Sequence, residues 1–431
     1  MGSNLPAEPE KYLQKFSYGN YNTETNLNAK YKMVVVIPAI SEYDNFRLLA
    51  DSLLKNNATF FNDTLILTVV NNSVSAEDPI KENNLKLLNY IKNDLKNSGL
   101  NFSCIDAFSD GKALPEKEAG VGLARKIGMD TSLRLFDYDK PGKNIILCLD
   151  ADCIVAPDYL STVFTEFNKQ DISAGYVNFQ HQEADDPEIQ LAIVCYEIFL
   201  RYYVLGMKYS CSPYAFHTVG STIVCDHNSY IKVQGMNRRK AAEDFYFMEK
   251  LAKITEIKKI AGTTVFPSPR SSLRVPFGTG RSVSRFLSDR RNEYFLYDPE
   301  IFEILREWNG IFLSGKFDDS GYYLIKSKEI SPGLYEFLKA NGFKEAWDKI
   351  IQTSKSVEQI SKQKKLWFDG FRTMKLIHFL RDNGFPNMDM FEALDILFEK
   401  TGNNLNLNRE YSGPPPLEIQ MQYLLKLRET A

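Results

Sequence analysis

The chain has 431 residues, of which 44% are hydrophobic and 13% aromatic. It can therefore bury a large core, usually in more than one domain, and an intrinsically disordered protein is excluded. The formal net charge of -3 gives no basic excess of the kind that nucleic-acid-binding proteins carry. The six cysteines include no CxxC pair, and we interpret them as reduced, mostly buried thiols of a cytoplasmic protein. The opening residues MGSNLPAEPEKY contain no apolar segment, so no signal peptide is expected.

Residues 1–29 are polar and rich in Asn and Tyr, which predicts an irregular N-terminal arm. From residue 30 onward, apolar β-branched runs typical of buried strands alternate with segments whose apolar residues recur at helical spacing. This alternation predicts βαβ crossovers and a mostly parallel sheet flanked by helices, and we assign residues 30–290 to such an α/β domain. The predicted strands are 32–39, 63–73, 100–108 and 143–150, and the predicted helices are 42–57, 83–99, 120–136 and 158–169.

Three short segments lie at the carboxyl ends of predicted strands. They are Pro38 to Glu42, Asn71 to Ser73, and Asp150 to Asp152. In open α/β sheets, ligands bind beyond the carboxyl ends of the strands. Each segment taken alone also fits an ordinary strand-to-helix loop, but three segments at the same edge predict a binding site there.

Asp150 and Asp152 end the most apolar predicted strand of the chain, NIILCLDADC. Two carboxylates one residue apart can share a divalent ion, and their hard oxygen ligands suit Mn²⁺ or Mg²⁺. An ion held by one or two protein carboxylates usually completes its shell with substrate phosphates, which predicts a phosphorylated or nucleotide substrate. The alternative is a pair of loop acids that cap the helix after Pro157.

A second acidic pair, Glu243 and Asp244, opens a predicted amphipathic helix within residues 220–254. Carboxylates at a helix N-terminus are favoured by the helix dipole, so simple capping is one interpretation. The functional interpretation is a general base presented at the binding cleft.

After residue 290 the alternation of strands and helices stops. Amphipathic helical segments follow, and we predict a helical C-terminal domain over residues 291–431. The apolar stretch 191–207 carries Glu197 and Arg201 and is shorter than the ~20 residues that a membrane span needs. It predicts a buried or interfacial helix, so no transmembrane segment is expected and peripheral membrane contact stays open.

Five segments together resemble the family-2 glycosyltransferases, which have the GT-A fold and use nucleotide sugars. Their order and spacing match those of the family over about residues 32–255, and the C-terminal region lies outside the resemblance. The matching segments are VVVIPAISE, VVNNS, GVGLARKIG, LDADCIVAPDYL and GMNRRKAAEDFYFMEKL.

The resemblance implies a role for each residue that matches a family motif. Asp152 is expected to bind the metal ion that bridges the two phosphates of the donor, and Asp150 to reach the ribose or a metal-bound water. Asp244 is expected to be the catalytic base, and Glu243 to contact the acceptor or orient the loop. The expected nucleotide-binding residues are Pro38, Ala39, Glu42, Asn71, Arg125 and Asp150, and Arg281 is added from an arginine-rich stretch beyond the matched region.

Three departures from the family pattern concern the site. VVNNS carries amides where the family has acids, GMN replaces the family's GGF, and no His lies between Asp244 and His378. Three histidines precede the acidic pair, and each fits either a site role or surface or core packing; they are His181, His217 and His227. The arginine-rich stretch 268–286 predicts either a mobile loop that closes over phosphates or a solvated linker; its arginines are Arg270, Arg274, Arg281 and Arg285.

The resulting functional prediction is a metal-dependent hexosyltransferase. It would move a hexose from a UDP- or GDP-sugar to a hydroxyl of a saccharide, a lipid-linked glycan or a small molecule, inverting the anomeric centre. One alternative is a sugar-1-phosphate nucleotidyltransferase, although PAISEYDN after the first strand lacks the Gly- and Arg-rich phosphate loop of such enzymes. Another is a catalytically silent scaffold. The sugar, the base, the acceptor, the stereochemistry and the oligomeric state stay open.

Overall fold

The computed structural model describes residues 5–24, 30–169, 172–271, 278–289, 293–314, 317–405 and 413–431. Within it, the chain divides into two compact units. The first unit contains Met1–Glu183 and Thr218–Gly280, and the second contains Ala184–His217 and Arg281–Ala431. The domain limits inferred from the sequence, 30–290 and 291–431, stay predictions.

The first unit is built on one sheet of eight strands in the order β3-β2-β1-β4-β7-β6-β8-β5. Four neighbouring pairs are parallel (β1 with β2 and β4, β2 with β3, and β6 with β8), and three are antiparallel. The strands are Met33–Ala39 (β1), Thr64–Asn71 (β2), Asn101–Ala107 (β3), Ile145–Cys148 (β4), Ile154–Val155 (β5), Ala174–Phe179 (β6), Ile223–Asp226 (β7) and Ile257–Phe266 (β8).

The strands at the centre of this sheet are the continuous apolar runs of the sequence. Val35 of β1 pairs with Ile66 of β2 on one side and with Leu147 of β4 on the other. All residues of β2 and β4 are buried, which explains why these strands show no alternation of apolar and polar residues. The four strands predicted from the sequence are confirmed.

Helices of the first unit flank the sheet and connect its strands. The four helices predicted from the sequence are confirmed; they are α2 to α5 in the list below. The prediction of irregular structure before residue 30 is wrong for residues 7–16, which form the helix α1. Its Tyr12 hydroxyl donates to Asp130 over 2.8 Å. The helices are Ala7–Phe16 (α1), Tyr43–Leu54 (α2), Asp78–Asn89 (α3), Val121–Leu135 (α4), Tyr159–Lys169 (α5), His227–Lys232 (α7) and Glu243–Ala252 (α8).

The second unit is helical apart from the short strands Phe295–Leu296 (β9) and Met388–Asp389 (β10), which pair antiparallel. The predicted fold class, a mostly parallel α/β sheet flanked by helices and followed by a helical region, is therefore confirmed. The helices are Pro187–Tyr209 (α6), Thr279–Ser288 (α9, which begins in the first unit), Pro299–Phe312 (α10), Ser320–Ile330 (α11), Pro332–Ala340 (α12), Phe343–Thr353 (α13), Val357–Trp367 (α14), Gly370–Asp382 (α15), Met390–Thr401 (α16) and Leu417–Thr430 (α17).

Helix α6 contains the apolar stretch noted in the sequence. By length and composition it is the one helix in the described part of the chain that could cross a membrane, and 61% of its most apolar window is buried within the protein. Its Glu197 and Arg201 form a buried ion pair of 2.8 Å, and Arg428 of α17 also donates to Glu197 over 2.8 Å. A buried core helix has the same length and composition, so this single helix is weak support for a membrane span.

Helix α4 lies closer to the sheet than a side chain at Gly128 would allow. A Cβ atom at Gly128 would lie 2.4 Å from Cγ1 of Val36 in β1 and 3.0 Å from Cγ2 of Val69 in β2. Thirteen of the helix's fifteen residues are buried, including the charged side chains of Arg125, Lys126 and Asp130. The close approach therefore brings charged groups of α4 into the interior beside the strand ends.

We expect Gly128→Ala to destabilise the protein by about 1–3 kcal/mol, because the added methyl group overpacks the contact between α4 and β1. Val36→Ala removes Cγ1 and makes room for that methyl group. The double variant should therefore be more stable than the sum of the two single effects predicts, as measured by urea unfolding followed by circular dichroism. Strictly additive effects would show that Val36 does not limit the approach of α4.

Candidate functional site

The two aspartates of the DxD sequence lie at the carboxyl end of β4, as the sequence predicted. Backbone pairing with β1 continues to Leu149, whose N–H donates to the carbonyl of Val36 over 3.1 Å. The chain then turns tightly, and the N–H of Cys153 donates to the carbonyl of Asp150 over 3.1 Å. This turn presents Asp150 and Asp152 beside the end of the neighbouring strand β1, where polar loop residues follow.

Arg125 of α4 is a buried counterion shared by two acidic groups. Its Nη1 donates to Glu243 and its Nη2 donates to Asp150 Oδ1 over 2.5 Å. The side chains of Arg125 and Glu243 are each 3% exposed, whereas that of Asp150 is 38% exposed. The guanidinium group thus joins the DxD turn to the first residue of α8, and Asp150 keeps an open face toward solvent.

Gly220, just before β7, makes room for this guanidinium group. A Cβ atom at Gly220 would lie only 2.5 Å from Nη1 and 2.6 Å from Nη2 of Arg125. The resemblance to the glycosyltransferases implied that Arg125 approaches the donor diphosphate, and that contact stays a prediction. In the structure, the buried Arg125 pairs with the carboxylates of both Asp150 and Glu243.

Asp152 is paired with Arg270, an arginine in the segment after β8. Arg270 Nε donates to Asp152 Oδ2 over 2.8 Å, and its Nη2 donates to Glu42 Oε1. Glu42 also accepts from Asn45 Nδ2 over 2.7 Å. The arginine-rich composition of 268–286 was the only sequence signal for Arg270, which the site prediction did not include.

The environment of Asp152 disfavours its charged form. Burial raises the pKa of its carboxyl to about 6, and the nearby carboxylates of Asp150 and Glu42 act in the same direction, while Arg270 opposes the shift. Its side chain is 20% exposed. A second cation or a protonated partner at this carboxylate would therefore relieve an unfavourable charge.

The ends of β1 and β2 are joined by side-chain amides. Asn71 Nδ2 donates to the carbonyls of Ala39 and Val69, each over 3.1 Å, so its amide nitrogen holds the two strand ends together. Asn84 Oδ1 accepts from the N–H of Ser41 over 2.8 Å, and Ser41 has a positive φ of 54°. Pro38 and Ala39 lie directly opposite Val69 and Val70 in the ladder, at the edge predicted to hold the nucleotide.

The second acidic pair begins α8. The preceding residue, Ala242, has a positive φ of 57° and offers no capping side chain, and Asn237 Nδ2 donates to the carbonyl of Glu243 over 2.9 Å. Asp244 Oδ1 accepts from the N–H of Phe245 over 2.7 Å, a contact that fits the capping interpretation. In the described residues Asp244 forms no ion pair, so its carboxylate is less engaged than that of Glu243.

Burial raises the pKa of both carboxyls of this pair. For Glu243, Arg125 opposes the shift and Asp244 adds to it. For Asp244, Arg125 and the N–H of Phe245 oppose the shift, while Asp150 adds to it. The influence of Asp150 on Asp244 shows that the two acidic pairs act on one another, and a raised pKa moves a carboxylate toward the range in which general bases work.

The remaining predicted candidates are two arginines of the stretch 268–286 and three histidines. Arg281 is exposed on α9 in the second unit. Residues 279–288 form this helix, whereas a mobile loop was one of the two interpretations of the sequence. Arg274 lies in 272–277, outside the described residues. Among the histidines, His181 contacts Thr279 Oγ1 at 3.2 Å, and His217 and His227 are side chains with buried ring nitrogens.

The acidic residues fit one kind of metal site. Within the described ranges, no group of three or more His, Cys, Asp or Glu side chains could enclose an ion. Mg²⁺ and Mn²⁺ accept one or two carboxylates when phosphate oxygens and water complete the shell. Asp150 and Asp152 therefore suit an ion that arrives with a diphosphate rather than an ion in a cage made only of protein groups.

No family model matches the chain, and no curated protein matches it. Residues 1–349 of S. aureus TarS in complex with UDP-GlcNAc are 12% identical with a TM-score of 0.38, covering 89% of this chain and 98% of that chain. The mannosyltransferase PcManGT from Pyrobaculum calidifontis, in complex with GDP-Man and Mn²⁺, is 13% identical with a TM-score of 0.35, covering 87% and 92%. Because both TM-scores are this low, we take neither fold nor function from these likenesses.

Arg125→Met should destabilise the protein by about 3–5 kcal/mol, because it leaves Asp150 and the buried Glu243 without their shared counterion. Adding Asp150→Asn and Glu243→Gln removes those charges, and this triple variant should regain most of the loss. Urea unfolding of the three proteins measures the effect. Equal stability of the single and triple variants would show that the cost arises from lost packing and not from uncompensated charge.

The pKa of Asp152 gives stability a defined pH dependence. The pKa of this carboxyl is about 6 in the folded protein, against an ordinary value of 3.8. Wild type should therefore lose stability relative to Asp152→Asn as pH rises between these values. Over this range the stability of the variant relative to wild type should rise by up to about 3 kcal/mol, at about 1.4 kcal/mol per pKa unit. Urea unfolding at pH 4 and pH 7 in the presence of a chelator checks this, with the exposed Asp110→Asn as control. An advantage that does not grow with pH would contradict the raised pKa.

Proposed function

We propose that the protein is a glycosyltransferase that moves a hexose from a nucleoside-diphosphate sugar to a hydroxyl acceptor. The observation that carries the proposal is the shared contact of Arg125 with Asp150 and Glu243. It joins an acidic turn suited to a metal-bound diphosphate to an acidic pair suited to a general base. Both groups lie beside the carboxyl ends of parallel strands, where α/β proteins bind ligands.

The donor side of the proposed site consists of the DxD turn and the ends of β1 and β2. Asp150 and Asp152 would hold Mn²⁺ or Mg²⁺ together with the diphosphate of a UDP- or GDP-sugar. When bound, such an ion would stabilise the negative charge of the leaving diphosphate. The backbone of Pro38 and Ala39, held by the amide of Asn71, would form the wall of the nucleotide pocket.

The acceptor side is proposed to use Asp244 as general base. A hydroxyl is a poor nucleophile unless a base within hydrogen-bond reach takes its proton. Glu243 is held by Arg125, whereas Asp244 forms no ion pair in the described residues. Asp244 is therefore the member of the pair with a carboxylate oxygen available for the acceptor, and transfer would invert the anomeric centre.

Charge burial favours an enzyme over a silent scaffold. Burying carboxylates costs free energy, and burial raises the pKa of three of them: Asp152, Glu243 and Asp244. Clusters of perturbed carboxyl groups at a strand edge are typical of functional sites. We also propose a cytoplasmic location, which is consistent with the six cysteines, all of them free thiols.

Asp244→Asn should lower the release of nucleoside diphosphate from UDP- and GDP-sugars by about 10²–10⁴-fold, because it removes the base but keeps its shape. Affinity for the nucleoside diphosphate with Mn²⁺, measured by calorimetry, should be unchanged. Glu256→Gln, an exposed change after the same helix, is the matched control. Release with water as acceptor provides an assay before the natural acceptor is known.

Three outcomes of this experiment separate the hypotheses. Release by Asp244→Asn within about tenfold of wild type would exclude Asp244 as base and favour a retaining mechanism, in which the leaving phosphate takes the proton. Formation of a nucleotide sugar from a nucleoside triphosphate and a sugar 1-phosphate would identify a nucleotidyltransferase. A wild-type protein that binds no nucleotide and releases none would be a scaffold.

A further inference from the structure

The contact of Arg270 with two carboxylates has a consequence for how the donor site fills. Arg270 Nε lies 2.8 Å from Asp152 Oδ2, and its Nη2 donates to Glu42 on the other side. The Glu42 side chain is 6% exposed and that of Asp152 is 20% exposed, whereas Arg270 is 36% exposed. The arginine is thus the most exposed member of this group, and it bridges two more buried acids.

The charge balance of the site explains why a cation sits there. Asp152 shares its turn with Asp150, and Arg270 contacts both Asp152 and Glu42, so three carboxylates are close to one another at this point. Arg270 supplies the positive charge that contacts Asp152 directly, over 2.8 Å. In the absence of any ligand, the guanidinium group neutralises a carboxylate that burial and its neighbours make unfavourable.

A divalent cation and Arg270 would compete for the same carboxylate. Two positive groups that contact one carboxylate lie within a few ångströms of each other and repel strongly in a partly buried site. A diphosphate removes this conflict, because it offers the guanidinium group a bidentate anionic partner of its own. Arg270 could then leave Asp152 without losing an ion pair.

We propose that Arg270 is a positioning residue of the donor site that pairs with Asp152 when the site is empty and with the donor diphosphate when it is filled. The inference rests on the proposed function for the identity of the diphosphate. It predicts that the divalent cation binds poorly alone and well together with a nucleoside diphosphate. Arg270 would in this way couple the binding of the two ligands, each raising the affinity for the other.

The test compares Mn²⁺ binding by wild type, Arg270→Gln, Arg270→Lys and Arg239→Gln, using electron paramagnetic resonance of free Mn²⁺. Without nucleotide, Arg270→Gln should bind Mn²⁺ about tenfold or more tightly than wild type, because Asp152 has lost its competing cation. Adding Asp152→Asn to Arg270→Gln should abolish the gain. Arg239→Gln removes the same charge from an exposed position of the same unit and should not change the affinity, and Arg270→Lys keeps the competing charge and should resemble wild type.

The second arm repeats the titration with UDP or GDP present. The nucleoside diphosphate should raise the Mn²⁺ affinity of wild type strongly. The corresponding increase in Arg270→Gln should be smaller, by a factor of about ten. Unchanged Mn²⁺ affinity in Arg270→Gln without nucleotide would overturn the proposed competition. Absence of nucleotide binding in every protein would instead remove the proposed function, and the comparison with Mn²⁺ alone would still decide whether Arg270 competes at Asp152.

Discussion

The ion pairs of the buried Arg125 are the interaction on which the rest of the site depends. Its guanidinium group contacts Asp150 after β4 and Glu243 at the start of α8, two residues that are far apart in the chain. A buried arginine with two carboxylate partners is costly to disrupt, because removing the arginine or its partners leaves an uncompensated buried charge. These two ion pairs therefore hold the donor and acceptor sides of the proposed site in one arrangement. A catalyst needs such a fixed arrangement to orient its reactants.

Glycines make this arrangement sterically feasible. Gly128 lets α4 approach β1 and β2, and Gly220 leaves space against the guanidinium group itself. Gly122 has the same role toward the acidic helix, since a Cβ atom there would lie 2.3 Å from the carbonyl of Arg239 and 3.0 Å from Cβ of Glu243. Backbone geometry and charge placement are thus linked: larger residues at these positions would push apart the elements that Arg125 joins.

Much of the fold could be predicted from the sequence, because the central strands are buried on both faces and appear as continuous apolar runs such as 143–150. The position of the DxD turn followed from that pattern. The helix Ala7–Phe16 was missed because its short apolar face, Tyr12 and Leu13, lies within a polar composition. Arg270 was recognised only as one of four arginines in 268–286, and its pairing could not be predicted. Its partners, Glu42 and Asp152, are more than a hundred residues away, and one sequence carries no record of which arginine reaches which acid.

The central claim is that the acidic turn after β4 binds the diphosphate of the donor together with a divalent ion. The most direct measurement is a crystal structure with UDP or GDP and Mn²⁺, in which anomalous scattering locates the manganese independently of the map. We predict a manganese peak at the carboxylate of Asp152, with the diphosphate beside it and the base toward the ends of β1 and β2. A manganese peak remote from Asp152, or a nucleotide bound elsewhere on the protein, would contradict the account.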